Sequence, residues 1–162
     1  MSTTAIEMQG GCTCGAVRYR LAERPMFVNC CHCSWCQRET GSAFAINAII
    51  ETDRLEVTGA VEMVTLPSAS GKGQEVARCP GCKVAVFSHY AGAGRLAAFV
   101  RVGTLDQPGD CPPDVHIYTA TKLPWVVLDD RVPVLEGYYV LRDLWSEQAQ
   151  ARRVAMKARA AQ

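Results

Sequence analysis

The sequence predicts a mostly β fold closed by a C-terminal helix, and three observations carry that expectation. Short runs rich in β-branched and aromatic residues recur from Val17 to Tyr118, separated by glycine, proline and serine. Cysteines come in tight groups: Cys12 and Cys14, then the run CCHCSWC from Cys30 to Cys36, then Cys79 and Cys82. Helical spacing of apolar residues appears only at the end, where Leu141, Leu144 and Trp145 recur.

A chain of 162 residues is long enough to bury one core. Its 49% hydrophobic and 20% charged residues are those of a folded globular protein. A formal net charge of +1 gives no reason to expect a polyanionic partner. No apolar run approaches the roughly 20 residues that span a membrane. The start, MSTTAIEMQGGC, lacks the basic and apolar regions of a secretory signal, so a cytoplasmic location is expected. Thiols stay reduced there, and clustered cysteines bind metal or do chemistry more often than they pair; the odd total of nine also suits a disulfide framework poorly.

The elements follow in order. Val17, Tyr19 and Leu21 alternate with Arg18 and Arg20 as in a half-buried strand, which Arg24 and Pro25 end. Met26 to Val28 leads into the central cysteines, Gly41 ends that cluster, and Ser42 to Ile50 reads as a longer apolar strand. Leu55 to Val57 and Val61 to Leu66 read as strands, and Pro67 to Gln74 as an exposed loop or hairpin tip. Glu75 to Arg78 enters the CPGC turn, Val84 to Tyr90 leaves it, and Leu96 to Val102 follows after the AGAG turn. Pro108 to Pro133 is irregular with one strand at Val115 to Tyr118. From Leu141 a helix is expected, capped by Asp143 or Ser146, whose alanine-rich and basic end reads as a solvated, fraying tail. The chain is therefore read as a zinc-binding β domain over residues 1–140 and a helical tail over 141–162.

Zinc is the metal these ligands suit. It takes thiolates tetrahedrally, and its structural sites draw two close pairs from separate parts of a chain. The CxxC turn, bent by Pro80 and Gly81, aims two sulfurs at one point, and CxC along an extended strand does the same. Cys12, Cys14, Cys79 and Cys82 thus make a closed site. In the middle cluster Cys31 and Cys33 share a face, Cys30 points away, and Cys36 completes a CxxC with Cys33. Three protein ligands and an open fourth position define catalytic zinc. Cys30 and Cys111 remain as small buried hydrophobes. A competing arrangement is two closed four-ligand sites holding the fold, with Cys30 or His32 as the eighth ligand. A redox cysteine pair fits less well, because such motifs open a helix in a βαβ setting.

Four motifs, GGCTCGAVRY, CCHCSWCQRETGSAF, the CPGC turn and DVHIYTATKLPW from Asp114 to Trp125, resemble the glutathione-dependent formaldehyde-activating enzyme family, over the span from Gly10 to about Gly137. That resemblance implies a Mss4-like zinc-bound β fold with two Zn2+ sites. Cys12, Cys14, Cys79 and Cys82 match the structural ligands, and Cys31, Cys33 and Cys36 the catalytic ones. It implies an S-(hydroxymethyl)glutathione synthase-like carbon–sulfur lyase, with glutathione or a similar small thiol and an aldehyde as partners. The run QRETGSAFA resembles the broad membership of the family, not its narrower formaldehyde-specific enzymes, so the substrate stays open.

Outside the ligands, His32 lies between two of them but should point the other way. His116 and Arg38 resemble retained family positions that would bind a substrate carboxylate, and Arg38 could equally offset the charge of three thiolates. His89 should pack or face water. Trp35 and Trp125 read as core or pocket wall, Trp35 also as a stacking surface for substrate. The basic tail as a nucleic-acid contact is disfavoured by near-neutral charge and the lack of an aromatic-basic stripe. A zinc-stabilised binding module without catalysis remains the main alternative. A methionine sulfoxide reductase relative would need a distal redox cysteine, for which only Cys30 and Cys111 are free. Homo-oligomerisation is left open.

Overall fold

The computed structural model describes residues 8–161. Both ends of the expected division, residues 1–7 and Gln162, lie outside the described residues. The strands β1 (Met8–Gly11), β2 (Arg18–Leu21) and β3 (Phe27–Cys31) lead into a short helix, α1 (Ser34–Thr40). Then come β4 (Ala45–Glu51), β5 (Leu55–Thr58), β6 (Glu62–Leu66), β7 (Gln74–Arg78), β8 (Ala85–Tyr90), β9 (Ala97–Arg101) and β10 (Val115–Ile117). Helices α2 (Leu141–Leu144) and α3 (Glu147–Ala160) close the chain. The fold is mostly β with a C-terminal helix, as the alternating patterns predict.

Two sheets form. β1, β2 and β5 make a three-stranded antiparallel sheet in that order. The larger sheet runs β10-β3-β4-β9-β8-β7-β6 and is antiparallel throughout except for the parallel pairing of β10 with β3. The larger sheet is covered on both faces, which is why β4 is buried along nearly its whole length. On one face Val28, Ala48, Ile50, Ala98 and Val100 meet Val17, Tyr19 and Leu21 of the small sheet. On the other, Phe27, Ile49, Ala97 and Ile117 meet Tyr139, Trp145, Ala149 and Met156 from the C-terminal segment. Leu21 and Ile50, both essentially without solvent contact, each contribute about 1.5–3 kcal/mol relative to an exposed side chain. The small sheet is drawn close by Gly10, where any Cβ would strike the Thr104 carbonyl oxygen. Next to it the Tyr19 hydroxyl meets Thr104 Oγ1 at 2.7 Å.

Several details differ from the sequence reading. β1 has Met8 as its one apolar side chain, beside Gln9 and two glycines, and carries no pattern of its own; it pairs with β2 along the edge that strand offers. Helix α1 is too short to show a period and begins directly after the alternating cysteines, at Ser34, where no helix was expected. Cys12 and Cys14 lie in a turn, not along a strand. Trp125 is 71% exposed and forms neither core nor pocket wall. The tail is a helix with most of its surface solvated, as expected, but it also docks: α3 buries Ala149 and Met156 against the larger sheet. Only those two of its side chains are buried, which is why the apolar signal in its sequence is weak. Ser146, one of the two caps expected, accepts a hydrogen bond from the Ala149 N–H at 3.2 Å.

Candidate metal centres

The first sulfur group is built by two turns. Between β1 and β2, Cys12 N–H donates to Val17 O at 3.0 Å and Gly15 N–H to Cys12 O at 3.1 Å, curling Cys12 and Cys14 toward each other. Between β7 and β8, Lys83 N–H donates to Cys79 O at 2.9 Å, and Lys83 takes a left-handed φ of 63° to close the bend. A left-handed lysine costs about 1–2 kcal/mol, and the turn it completes aims Cys79 and Cys82 at the first pair. Cys12 and Cys14 sulfurs stand 3.5 Å apart, and Cys14 and Cys79 sulfurs 3.6 Å. All four lie within 4.8 Å of one another. Four thiolates on a tetrahedral zinc with bonds of about 2.3 Å stand about 3.8 Å apart, so this donor set fits zinc. The Val17 backbone N–H holds Cys12 below the usual thiol range and the Val84 backbone brings Cys82 down to about 6, while, against a bond from the Ala16 backbone, hydrogen bonds with Cys12, Cys82 and Cys79 push Cys14 up to about 11, so Cys12 and Cys82 are the readiest thiolates of the group.

A strand and a helix start build the second group. Extended backbone continues from β3 through Cys33 (φ −68°, ψ 151°), so Cys31 and Cys33 share a face. Cys33 is the N-cap of α1, and the first helical turn carries Cys36 back so that its N–H donates to Cys33 Sγ at 3.3 Å. The three sulfurs lie within 4.8 Å of one another, and among the described residues no fourth His, Cys, Asp or Glu joins them. Hydrogen bonds from the Cys31 and Cys36 thiols push the Cys33 thiol far down, and the same contacts push Cys31 up. These sulfurs line a cavity of about 400 Å³ between the larger sheet, the β6–β7 loop and the C-terminal helices.

Beneath the same face lies a polar floor that the sequence reading did not foresee. Arg101, on the last position of β9, is 7% exposed. It donates to Asn47 Oδ1, and to Ser88 Oγ at 2.9 Å, while its Nε has no partner. Among the described residues no carboxylate pairs with it, and its charge adds a small downward push on the Cys36 thiol to the larger one from Cys31, against the upward pushes of Cys33 and burial that leave that thiol raised. A buried cation without an acid is costly, and three thiolates on one divalent cation would carry the net negative charge that offsets it. Only an isolated Arg at the end of a strand signals this in the sequence. Arg38, to which that balancing role was one candidate assignment, is exposed on α1 and lines no part of the cavity.

His32 and His116 sit on the opposite face of β3 and β10. His32 Nε2 is 3.0 Å from His116 Nδ1 and 3.5 Å from Cys30 Sγ, all three buried. Burial, then the neighbouring charges of His116 and Lys122, hold His32 down to about 4, and burial lowers His116. His116 therefore does not reach a ligand in the cavity, and neither Cys30 nor His32 serves as an eighth ligand to the two sulfur groups. Cys111 packs in the core, and His89 is buried with Nδ1 2.9 Å from Ala97 O. Trp35 borders the cavity and is 45% exposed at its mouth.

Fold and site together define a mostly β protein whose thiol groups can hold metal ions, one of them opening into a cavity. The chain belongs to the glutathione-dependent formaldehyde-activating enzyme family, whose sequence profile matches residues 7–121. It is 28% identical over 135 residues to a Halomonas elongata protein provisionally named a glutathione-dependent formaldehyde-activating enzyme, covering 76% of this chain and 82% of that one. A solved Rhodobacter sphaeroides protein aligns with a TM-score of 0.46 and 21% identity, over 78% of this chain and 99% of the other. Among the described residues no helix is long and apolar enough to cross a membrane.

Proposed function

We propose that this protein is a zinc-dependent carbon–sulfur lyase acting on adducts of glutathione, or a related small thiol, with an aldehyde. In this reading Cys12, Cys14, Cys79 and Cys82 hold a structural Zn2+, and Cys31, Cys33 and Cys36 hold a catalytic one. The observation that carries it is the contrast between the two groups: four sulfurs tie distant turns together, whereas three line a cavity large enough for a small-molecule ligand. Family membership supplies the thiol and the aldehyde as the substrate type.

Bound at the three-sulfur group, zinc supplies a Lewis-acid cation beside which a thiol ionises or an aldehyde oxygen is polarised. The chain's own residues do the rest. Cys33 holds the thiolate most readily, because backbone N–H groups of Trp35 and Cys36 add to the bonds from the other two thiols. Arg101 offsets the negative charge from below, and Asn47 and Ser88 fix its guanidinium. The walls formed by the sheet and α3 limit water around the reacting carbon. A Mss4-like architecture, with one zinc-binding β domain to residue 140 and a helical tail after it, belongs to the same proposal, as does a cytoplasmic location that keeps nine thiols reduced.

Metal analysis combined with glutathione titration of cobalt-substituted protein tests this reading. The expected result is about two metals per chain and a change in the cobalt absorption bands as the thiol enters one coordination sphere. Two metals with no spectral response to thiol would leave a zinc-stabilised binding module as the better description.

A further inference from the structure

The wall around the three-sulfur group is largely apolar, broken by a few uncharged polar residues such as Asn29, Asn47 and Gln74. Ile49, Phe99, Ile117, Trp145 and Met156 line the same cavity as Cys31, Cys33 and Cys36, and all except the partly buried Phe99 are buried members of one continuous core cluster with those sulfurs. Charge enters the lining at only two places, Lys72 on the β6–β7 loop and Arg153 on α3, and no Asp or Glu borders it. Among the described residues neither cation has an ion-pair partner. A carbon joined to a sulfur at this cluster therefore projects among apolar side chains. A lone hydroxymethyl group would leave most of the roughly 400 Å³ unfilled.

We propose that the adduct this site handles carries a bulky apolar group, aromatic or branched aliphatic, on its aldehyde-derived carbon, while the carboxylates of the thiol run out to Lys72 and Arg153. The inference rests on the lyase reading of the same site. The chemistry is an addition without oxidation or reduction. The thiol sulfur forms a bond to the carbonyl carbon, the C=O π pair moves to oxygen, and the thiol proton ends on that oxygen to give R–CH(OH)–SR′; lyase action is the reverse. An ammonium group finds no carboxylate on the lining, so the amino end of a glutathione-like thiol lies toward solvent, whereas each carboxylate has a cation to meet. The large apolar share of the cavity then belongs to the aldehyde substituent, since burying apolar surface is what such walls reward.

The test uses full-length zinc-loaded protein with glutathione and either phenylacetaldehyde or formaldehyde, following exchange between free aldehyde and adduct by saturation-transfer NMR. The expected kcat/KM for the phenylacetaldehyde adduct is at least tenfold that for the formaldehyde adduct. Ala93, on the β8–β9 turn, also borders the cavity, and Ala93→Phe narrows it; the ratio should move at least tenfold toward formaldehyde. A readout independent of turnover is calorimetric titration with 2-phenylethanol, whose saturable binding should weaken about tenfold in Ala93→Phe. Equal or better turnover of the formaldehyde adduct, or a ratio that Ala93→Phe does not move, overturns the inference and leaves the lyase reading standing. Failure to turn over either adduct removes the lyase reading, and the assignment of the adduct with it.

Discussion

Arg152 on α3 clamps Glu51 at the end of β4: Nε lies 2.9 Å from Oε1 and Nη2 2.5 Å from Oε2 of a carboxylate whose side chain is 1% exposed. The same guanidinium donates to Arg24 O at 2.8 Å, and further along the helix Arg159 meets Asp53 at 3.1 Å. A helix that buries few apolar groups is thus fastened by charge over the end of the larger sheet, where Arg153 and Met156 reach the cavity.

Arg152→Ala should lower stability to urea by about 2–3 kcal/mol, less than the usual roughly 3–5 kcal/mol for stranding a buried charge, because Arg54, 3.6 Å from Glu51, remains as a partial partner. Replacing Glu51 with Gln in the same background should recover part of that loss in a double-mutant cycle. Removing the chain from Gln148 onward should cost more, since it also uncovers Phe27, Ile49 and Trp145. A truncated protein that unfolds at the same urea concentration as the full chain would show that the helix contributes nothing to the core.

Part of the β architecture was legible through alternation, since Val17, Tyr19 and Leu21 are buried while Arg18 and Arg20 keep partial exposure, and part through apolar runs such as that of β4, which is covered on both faces. The sulfur groups were legible because short spacings oblige nearby sulfurs to converge, and Cys12, Cys14, Cys79 and Cys82 on one side and Cys31, Cys33 and Cys36 on the other come together in two groups that could hold a metal ion. The polar floor was not, because Arg101 meets Asn47 and Ser88 through strand neighbours far apart in sequence, and no local pattern encodes that register. Trp125 misled for the opposite reason. A tryptophan after proline suggests burial by type alone, yet the segment around it passes over the surface and leaves Val127 exposed as well.

Arg101→Gln should weaken metal binding at the three-sulfur group by about 10–100-fold, the usual scale for a group acting on a metal through its ligands. The four-sulfur group should be unaffected. Competition against a chromophoric chelator separates the two: one metal per chain should leave much earlier than in the parent protein, and Arg101→Lys should restore part of the difference. Unchanged metal release from a folded Arg101→Gln protein would remove charge balance from the description of the site.

The buried pair of histidines offers a check on the number of centres. His116→Phe leaves His32 Nε2 without its 3.0 Å partner, which should cost about 1–3 kcal/mol in denaturation. Metal content should remain about two per chain, because Cys30, His32 and His116 hold one another by hydrogen bonding. A fall of one metal per chain on this substitution would make that trio a third centre.

The two sulfur groups should respond differently to the loss of one ligand. Cys79→Ser cuts the link between turns that are far apart in the chain, and a structural zinc contributes folding free energy directly; that variant is expected to be poorly soluble. Cys36→Ser acts within a loop of a few residues, where closure entropy is small, and α1 keeps its N-terminal cap, in which the backbone N–H of residue 36 donates to Cys33 Sγ. It should stay folded, with an unchanged far-ultraviolet spectrum, retain about one metal, and lose both thiol ligation and turnover. The retained metal should be the one released last under chelator. If Cys36→Ser unfolds as readily as Cys79→Ser, the three-sulfur group holds up the fold as much as the other does, and two scaffold sites without chemistry become the better account of this protein.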